Sequence, residues 1–199
     1  MTGTSDKIYT RKGDRGETSL LSGDVVFKDD ARVRTYGAVD ELQCHLGMAR
    51  AWTGDGRVAE IVQDVQRDLF AACSELASSP AELGRLQRRL AAGDAAKLEA
   101  WIDETVESYS TPKGFVVPGR SRDSAALHVA RAVCRRCERL IVALDRKDRV
   151  HGELVRYFNR LSDLLFVLAW RLEVNAVICG VLKDLNGGAR DATDGRITR

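Results

Sequence analysis

The chain has 199 residues, of which 44% are hydrophobic and 30% charged, enough for one domain with a packed core and too apolar for intrinsic disorder. Lys and Arg total 31 against 29 Asp and Glu, a net charge of +2. That balance argues against electrostatic binding of nucleic acid while leaving room for a local basic pocket that takes a small anion. With 3 prolines and 6% aromatic residues, a β-sandwich or barrel is disfavoured.

The first 30 residues are rich in glycine and charge, lack periodicity, and read as a loop segment. The start of the chain is polar, so no secretory leader is expected. From Arg32 to about Trp52 the pattern becomes helical, with Val33, Tyr36, Gly37, Asp40 and Cys44 at spacings of three and four, and Asp29 or Asp30 available as a cap. Gly54 and Gly56 break it. A second helix is expected from about Arg57 to Ser79, with Ile61, Val65, Leu69, Cys73 and Leu76 on one stripe. Pro80 to Gly93 is ambiguous and has room for a short helix. Asp94 can cap a third helix reaching about Ser110, carrying Leu98, Trp101, Ile102 and Val106.

A loop punctuated by Pro112, Gly114, Pro118 and Gly119 leads to a fourth helix, about Ser121 to Arg146, bearing Leu127, Ala130, Cys134, Ile141 and Leu144. The fifth, about Gly152 to Val177, bears Leu154, Tyr157, Phe158, Leu161, Leu164, Leu165 and Leu168. The longest apolar run, Leu164 to Trp170, is well short of the roughly 20 residues of a membrane span. Residues 183–199 are expected to form a mobile tail beyond a bundle domain of residues 31–182. Five helices joined mostly by short loops can bury their stripes only against each other, so the expected fold is an all-α five-helix bundle.

Three stretches carry chemistry. In Thr10-Arg11-Lys12-Gly13-Asp14-Arg15-Gly16-Glu17-Thr18, two glycines three apart let backbone N–H groups turn towards an anion, and the cations and hydroxyls suit a polyphosphate. Lys28 follows ten residues after Thr18. This is no Walker loop, and a solvated turn would have the same composition. On the fourth helix, at about 100° per residue, Arg135 lies at about +40° and Glu138 at about −20° from Arg131. The apolar stripe centres near about −90° on the same count, so these charges border the core face, while Arg136 and Arg139 point further towards solvent. Two arginines four residues apart repel unless an anion lies between them; a solvated charged edge is the alternative. On the fifth helix Asn159 and Asp163 share a face and need partners, either another helix or a nucleotide. Asp40, between Val39 and Glu41, needs a cation from another helix or subunit.

Other features carry less. Cys134-Arg135-Arg136-Cys137 is formally CxxC, but both cysteines project to the apolar side and no βαβ pattern surrounds them. His45, His128 and His151 have no zinc-type spacing, and no metal ligand set is assigned. Five cysteines without a disulfide-scaffold spacing fit reduced thiols and a cytoplasmic protein.

Together these stretches resemble the PduO-type ATP:cob(I)alamin adenosyltransferases. Three ordered blocks carry the resemblance: Ile8 to Leu42, Phe115 to Leu144 and Tyr157 to Ala169, about two fifths of the chain. The resemblance implies a five-helix bundle assembled as a homotrimer with active sites between subunits. It implies transfer of the 5′-deoxyadenosyl group of ATP to the cobalt of cob(I)alamin with release of triphosphate, ATP being bound with Mg²⁺. Thr10, Lys12, Gly13, Asp14, Gly16 and Thr18, with Arg11 among them, match the loop that wraps the phosphates. Lys28 matches a phosphate-contacting lysine. Arg131 matches an arginine that pairs across the interface with the aspartate matched by Asp40. Arg135 and Glu138 match an ATP-binding arginine and its acidic neighbour, Asn159 a nucleotide-contacting asparagine, and Phe115 the aromatic that displaces the axial ligand of cobalt.

Arg120 stands where the family usually has a second glycine, Trp170 where it usually has arginine, and Lys12 where Thr or Asn is common. By this resemblance a reductase and a B12-dependent mutase are expected partners, with neither nucleic acid nor membrane involved. A cobalamin or nucleotide carrier without turnover, or a helical interaction module without ligand, are the alternatives.

Overall fold

The computed structural model describes residues 8–9, 11–149 and 151–194, with side chains as far as residue 185. The chain opens with β1 (Glu17–Ser19) and β2 (Val25–Phe27), an antiparallel pair in the register Glu17 to Phe27, Thr18 to Val26 and Ser19 to Val25. Five helices follow: α1 (Ala31–Trp52), α2 (Gly56–Leu76), α3 (Ala92–Tyr109), α4 (Arg122–Asp148) and α5 (Gly152–Asp194). A 3₁₀ helix, Pro80–Arg85, occupies the ambiguous stretch before α3.

The hairpin corrects the expectation of an irregular N-terminal segment and of a wholly α fold. Its strands are too short to show an alternating pattern, and Gly23, at φ 91°, makes the turn between them. The hairpin is fastened to the bundle by the buried Leu20 and by the Leu21 N–H, which donates to the Ala77 carbonyl at 2.9 Å.

The helix ends follow capping chemistry. Asp30 caps α1, accepting from the Arg32 N–H at 2.7 Å; Asp55 caps α2, accepting from Val58 N–H at 3.1 Å; Ser121 caps α4. Asp94 lies at the third position of α3 and accepts from Ala91 N–H at 2.9 Å, the reciprocal half of a capping box. The expected stripes of α4 and α5 are buried, with Leu127, Cys134, Ile141, Tyr157, Phe158 and Leu161 fully enclosed. On α1 the core uses Thr35, Ala38, Val39, Leu42, Leu46 and Ala49. The face carrying Gly37, Asp40 and Cys44 is exposed, one stripe away from the pattern that marks the helix in the sequence.

The fifth helix does not end near Val177 but runs on through residues 183–194. Gly180, Gly187 and Gly188 lower helix propensity but keep every backbone N–H, and no proline interrupts the stretch. From Gly152 to Leu185 this helix is long and apolar enough, by length and composition alone, to cross a membrane. The short apolar run in the sequence understated it because isolated Arg171 and Glu173 divide a longer apolar segment. Between Leu154 and Ala169 the apolar face of α5 is the core of the bundle.

Buried charges tie the helices together. Asp68 accepts from Arg88 Nη2 (2.6 Å), Lys97 Nζ (2.8 Å) and the Tyr157 hydroxyl (3.1 Å). Glu75 accepts from Arg89 Nη2 at 3.0 Å and lies 3.1 Å from His151 Nδ1. Arg32 donates to the Ser78 carbonyl at 2.9 Å and pairs with Asp148, which brings the start of α1 to the end of α4.

Candidate active site

The segment 11–18 forms a tight series of turns before β1. Asp14 N–H donates to the Arg11 carbonyl (3.4 Å) and Gly16 N–H to the Gly13 carbonyl (3.2 Å). Gly16 has φ 85°, a conformation that favours glycine, and Arg11 takes a left-handed conformation at φ 60°. Lys28, the residue after β2, returns to this loop. Its backbone N–H donates to the Gly16 carbonyl at 2.8 Å, and its ammonium lies directly over Gly13. Arg11, Lys12, Asp14, Arg15 and Lys28 are exposed around the turn. Burial and the nearby Asp30 carboxylate raise the Tyr36 phenol of α1, against the opposing effect of the adjacent Thr18 side chain, so it stays protonated. Thr10 lies outside the described residues.

A second group lies across α4 and α5. Asn159 Nδ2 donates to Glu138 Oε1 at 3.1 Å, and Arg160 Nη1 donates to Asn159 Oδ1 at 2.7 Å. Arg160 is itself held by Glu99 of α3 through Nε at 2.8 Å. Both ends of the Asn159 amide are therefore fixed, and its orientation is set by a chain of contacts spanning three helices. Sequence reasoning pairs Asn159 with Asp163 and misses Arg160 and Glu99; Asp163 is exposed. Arg135 is exposed one turn before Glu138, whereas Arg136 is half-buried and pairs with Glu41 of α1 rather than standing free in solvent. Cys134 and Cys137 are fully buried, and burial pushes the Cys137 thiol up to about 12, so this CxxC is packing.

Arg131 and Asp40 do not meet within the chain. Arg131 Nε is buried with no hydrogen-bond partner among the described residues, and Asp40 is exposed on the outer face of α1 with no ion pair there. Beside Arg131, one turn earlier on α4, lies His128. Burial lowers the His128 imidazole below its ordinary range, with Glu173 opposing and Arg131 reinforcing the shift.

Phe115 is fully exposed in the loop before α4, at the edge of an open cavity of about 330 Å³. Arg120 and Trp170 line the same cavity. The residue that carries the cobalt role by resemblance thus shares one wall with two of the positions that depart from the family pattern. Trp170 Nε1 donates to the Tyr109 carbonyl at 3.3 Å, a polar contact in place of any an arginine would make there.

The loop group and the α4–α5 group lie apart within one chain. Lys28 and its loop sit by the start of α1, which Arg32 joins to Asp148; Arg135 is about 20 Å further along α4 at 1.5 Å per residue. Among the described residues no group of three or more His, Cys, Asp and Glu is placed to hold a metal ion.

The fold is a five-helix bundle with a basic glycine–lysine turn at its N-terminal hairpin and an exposed arginine on the edge of α4. The chain belongs to the Cobalamin adenosyltransferase family, whose profile matches residues 8–172. It is 42% identical over 173 residues to a corrinoid adenosyltransferase of Citrobacter freundii, covering 87% of this chain and 98% of that one. It is 36% identical over 168 residues to a corrinoid adenosyltransferase of Bacillus subtilis, covering 82% and 84%. Among solved structures, a Phe-to-His variant of a PduO-type ATP:corrinoid adenosyltransferase from Lactobacillus reuteri, complexed with cobalamin and ATP, superposes with a TM-score of 0.78 at 32% identity. That match covers 84% of this chain and 91% of the other. An Arg-to-Lys variant complexed with ATP gives 0.77 at 31% identity, covering 84% and 94%.

Proposed function

We propose that this chain is an ATP:corrinoid adenosyltransferase, moving the 5′-deoxyadenosyl group of ATP to the cobalt of cob(I)alamin and leaving triphosphate. The observation that carries the reading is family membership over residues 8–172, which includes the Gly13–Lys28 loop, Phe115 and the Arg135 edge of α4.

Reduced cobalt is the nucleophile. Its electron pair forms the Co–C5′ bond as the C5′–O bond to the triphosphate breaks, so no protein side chain is asked to attack or to remove a proton. The protein's task is to align the two substrates and to stabilise charge growing on the leaving phosphates. The turn at Gly13 and Gly16, with Arg11, Lys12 and Lys28, offers backbone and cationic donors to those phosphates; Asp14 and Thr18 fix the turn. Arg135 adds a charge-assisted contact, and Glu138 with Asn159 holds the nucleotide side of the groove. Mg²⁺ enters as the companion of ATP, held by phosphate oxygens as that ion commonly is, rather than as a resident of a protein cage. By the resemblance, Phe115 would cover one face of the bound corrinoid, excluding water and an axial ligand so that reduction to cob(I) becomes easier.

The separation of the two groups within a chain supports an assembly in which the loop of one subunit faces α4 of the next. Arg131, whose Nε has no partner among the described residues, and Asp40, which has no ion pair there, are the two halves of an ion pair across that interface, and a homotrimer is the assembly this family resemblance implies. A reductase that supplies the electron and a B12-dependent mutase that takes the product are its functional partners. Free cysteines at 44, 73, 134, 137 and 179 fit a cytoplasmic location.

The test is anaerobic incubation with ATP and chemically reduced cobalamin, following the Co–C product by its spectrum and triphosphate by chromatography. Both products are expected in equal amounts. Binding of both substrates without either product would identify a carrier and overturn the reading.

A further inference from the structure

The cavity beside Phe115 has an apolar wall of Phe115, Trp170, Val174 and Val177, and only two charged residues line it, Arg120 and Glu173. Arg120 is exposed at the rim. Glu173 is different: it is 4% exposed, and its Oε1 has no hydrogen-bond partner among the described residues. Facing it is the imidazole of His128, whose Nε2 lies 3.4 Å from Oε1 without the alignment of a hydrogen bond; both ring nitrogens of His128 are likewise unpartnered and buried. A buried carboxylate with an unused oxygen beside an imidazole with two unused nitrogens is costly, because each group has given up water without a full replacement. Elsewhere in the bundle Asp68 has three donors, while Glu75 takes Arg89 and His151 on Oε1 alone and leaves Oε2 buried without a partner among the described residues. Of the two buried acids with an unpartnered oxygen, Glu75 already holds two basic side chains, and Glu173 is the one that lines a cavity.

We infer that Glu173, backed by His128, is a specificity-determining residue that accepts a hydrogen bond from a primary carboxamide on the rim of the corrinoid. The inference rests on the adenosyltransferase reading. The chemistry of the pocket selects that group. An apolar wall suits the face of a flat macrocycle, and its edge carries amide side chains. A primary amide offers N–H donors, which a carboxylate needs, and a carbonyl, which Arg120 at the rim can engage. A carboxylic acid in the same place would bring a second negative charge against Glu173 and no donor. The pocket therefore discriminates an amidated corrinoid from one bearing a free acid at that position, by repulsion and by an unmade hydrogen bond together.

The experiment compares cobalamin with its separated monocarboxylic acid derivatives, each having one peripheral propionamide hydrolysed. Equilibrium affinity for each is measured spectroscopically on the full chain with ATP present, and turnover is measured in parallel. The expected result is one isomer bound at least tenfold more weakly than cobalamin by the wild type, the others being close to cobalamin. Glu173→Gln, nearly the same size, is expected to bring that one isomer to within about threefold of cobalamin while ATP affinity and melting temperature stay near wild type. Discrimination against all isomers that is unchanged in Glu173→Gln overturns the inference, as does a wild type that binds every acid as well as the amide. Should Glu173→Gln fold poorly, Arg120→Gln and His128→Gln are read the same way, with discrimination for the same isomer expected to change. Wild-type turnover of cobalamin itself reports on the adenosyltransferase reading independently, so failure of one is told from failure of the other.

Discussion

The Lys28 ammonium closes over Gly13 so tightly that a Cβ at residue 13 would stand 2.9 Å from Nζ and 3.1 Å from Cε. The absence of a side chain at 13 is thus what lets the lysine reach over the turn. The Glu17 carbonyl, 3.3 Å from the same point, closes the other side. Gly13→Ala is expected to push the flexible lysine aside more readily than the backbone. The displacement should cost about 1–2 kcal/mol of phosphate binding, a fall of roughly 5–30-fold in kcat/KM for ATP. Because the loop is exposed, the melting temperature should hardly move. Steady-state kinetics with ATP as the varied substrate checks this; an unchanged kcat/KM would separate Lys28 from phosphate recognition.

Arg135 gives the cleaner test of the α4 edge. Its side chain is exposed, so Arg135→Ala should alter stability by no more than about 0.5 kcal/mol. Loss of a charge-assisted contact should nevertheless remove roughly 1.5–3 kcal/mol from the ATP-bound transition state, about 10–150-fold in kcat/KM. Arg135→Lys should recover part of this, since charge returns without the planar fork. Activity unchanged in the alanine variant would remove Arg135 from the site.

Phe115 is 108% exposed and supports nothing in the isolated bundle, so Phe115→Ala should fold and melt as the wild type does. Its expected defect is selective. Adenosylation beginning from cob(II)alamin with a reductant should fall much further than adenosylation of cob(I)alamin generated beforehand, because the role proposed for the side chain is to strip the axial ligand before reduction. Side-by-side assays from the two oxidation states decide it, and equal losses would count against the axial-ligand role.

The helices were legible because their apolar spacing is dense, and the α4 and α5 stripes are buried residue for residue. The hairpin was not, since three-residue strands leave too few positions for alternation to register. On α1 the sequence pattern picked out the exposed face of Gly37, Asp40 and Cys44, small and polar residues whose spacing is helical but whose face is not the core. The Glu138–Asn159 contact could be anticipated only as two separate helix positions, because pairing across helices depends on register that no single helix encodes. Arg160 and Glu99, 61 residues apart, carried no local signal at all. Glu173 was invisible for a related reason: its isolation follows from what packs around it, not from its neighbours in the chain.

The clearest pH dependence comes from Glu75, 2% exposed between α2, the segment before α3 and the start of α5. Burial alone would raise its carboxyl, but hydrogen bonds from His151 and Arg89, with their charges, outweigh burial and hold it below the ordinary value of 4.5. The unfolded chain therefore takes up this proton at a higher pH than the folded one. The stability Glu75 contributes is complete above about pH 4.5 and drains away as pH falls from there through its folded value. Glu75→Gln keeps the shape but leaves Arg89 and His151 facing a neutral amide, which should destabilise by about 1–3 kcal/mol at pH 7. Urea unfolding between pH 7 and pH 3 should show the two curves converging as the pH drops, since acid removes from the wild type what the substitution has already removed. Curves that stay parallel across that range would show that Glu75 is not protonated differently in the folded and unfolded chains.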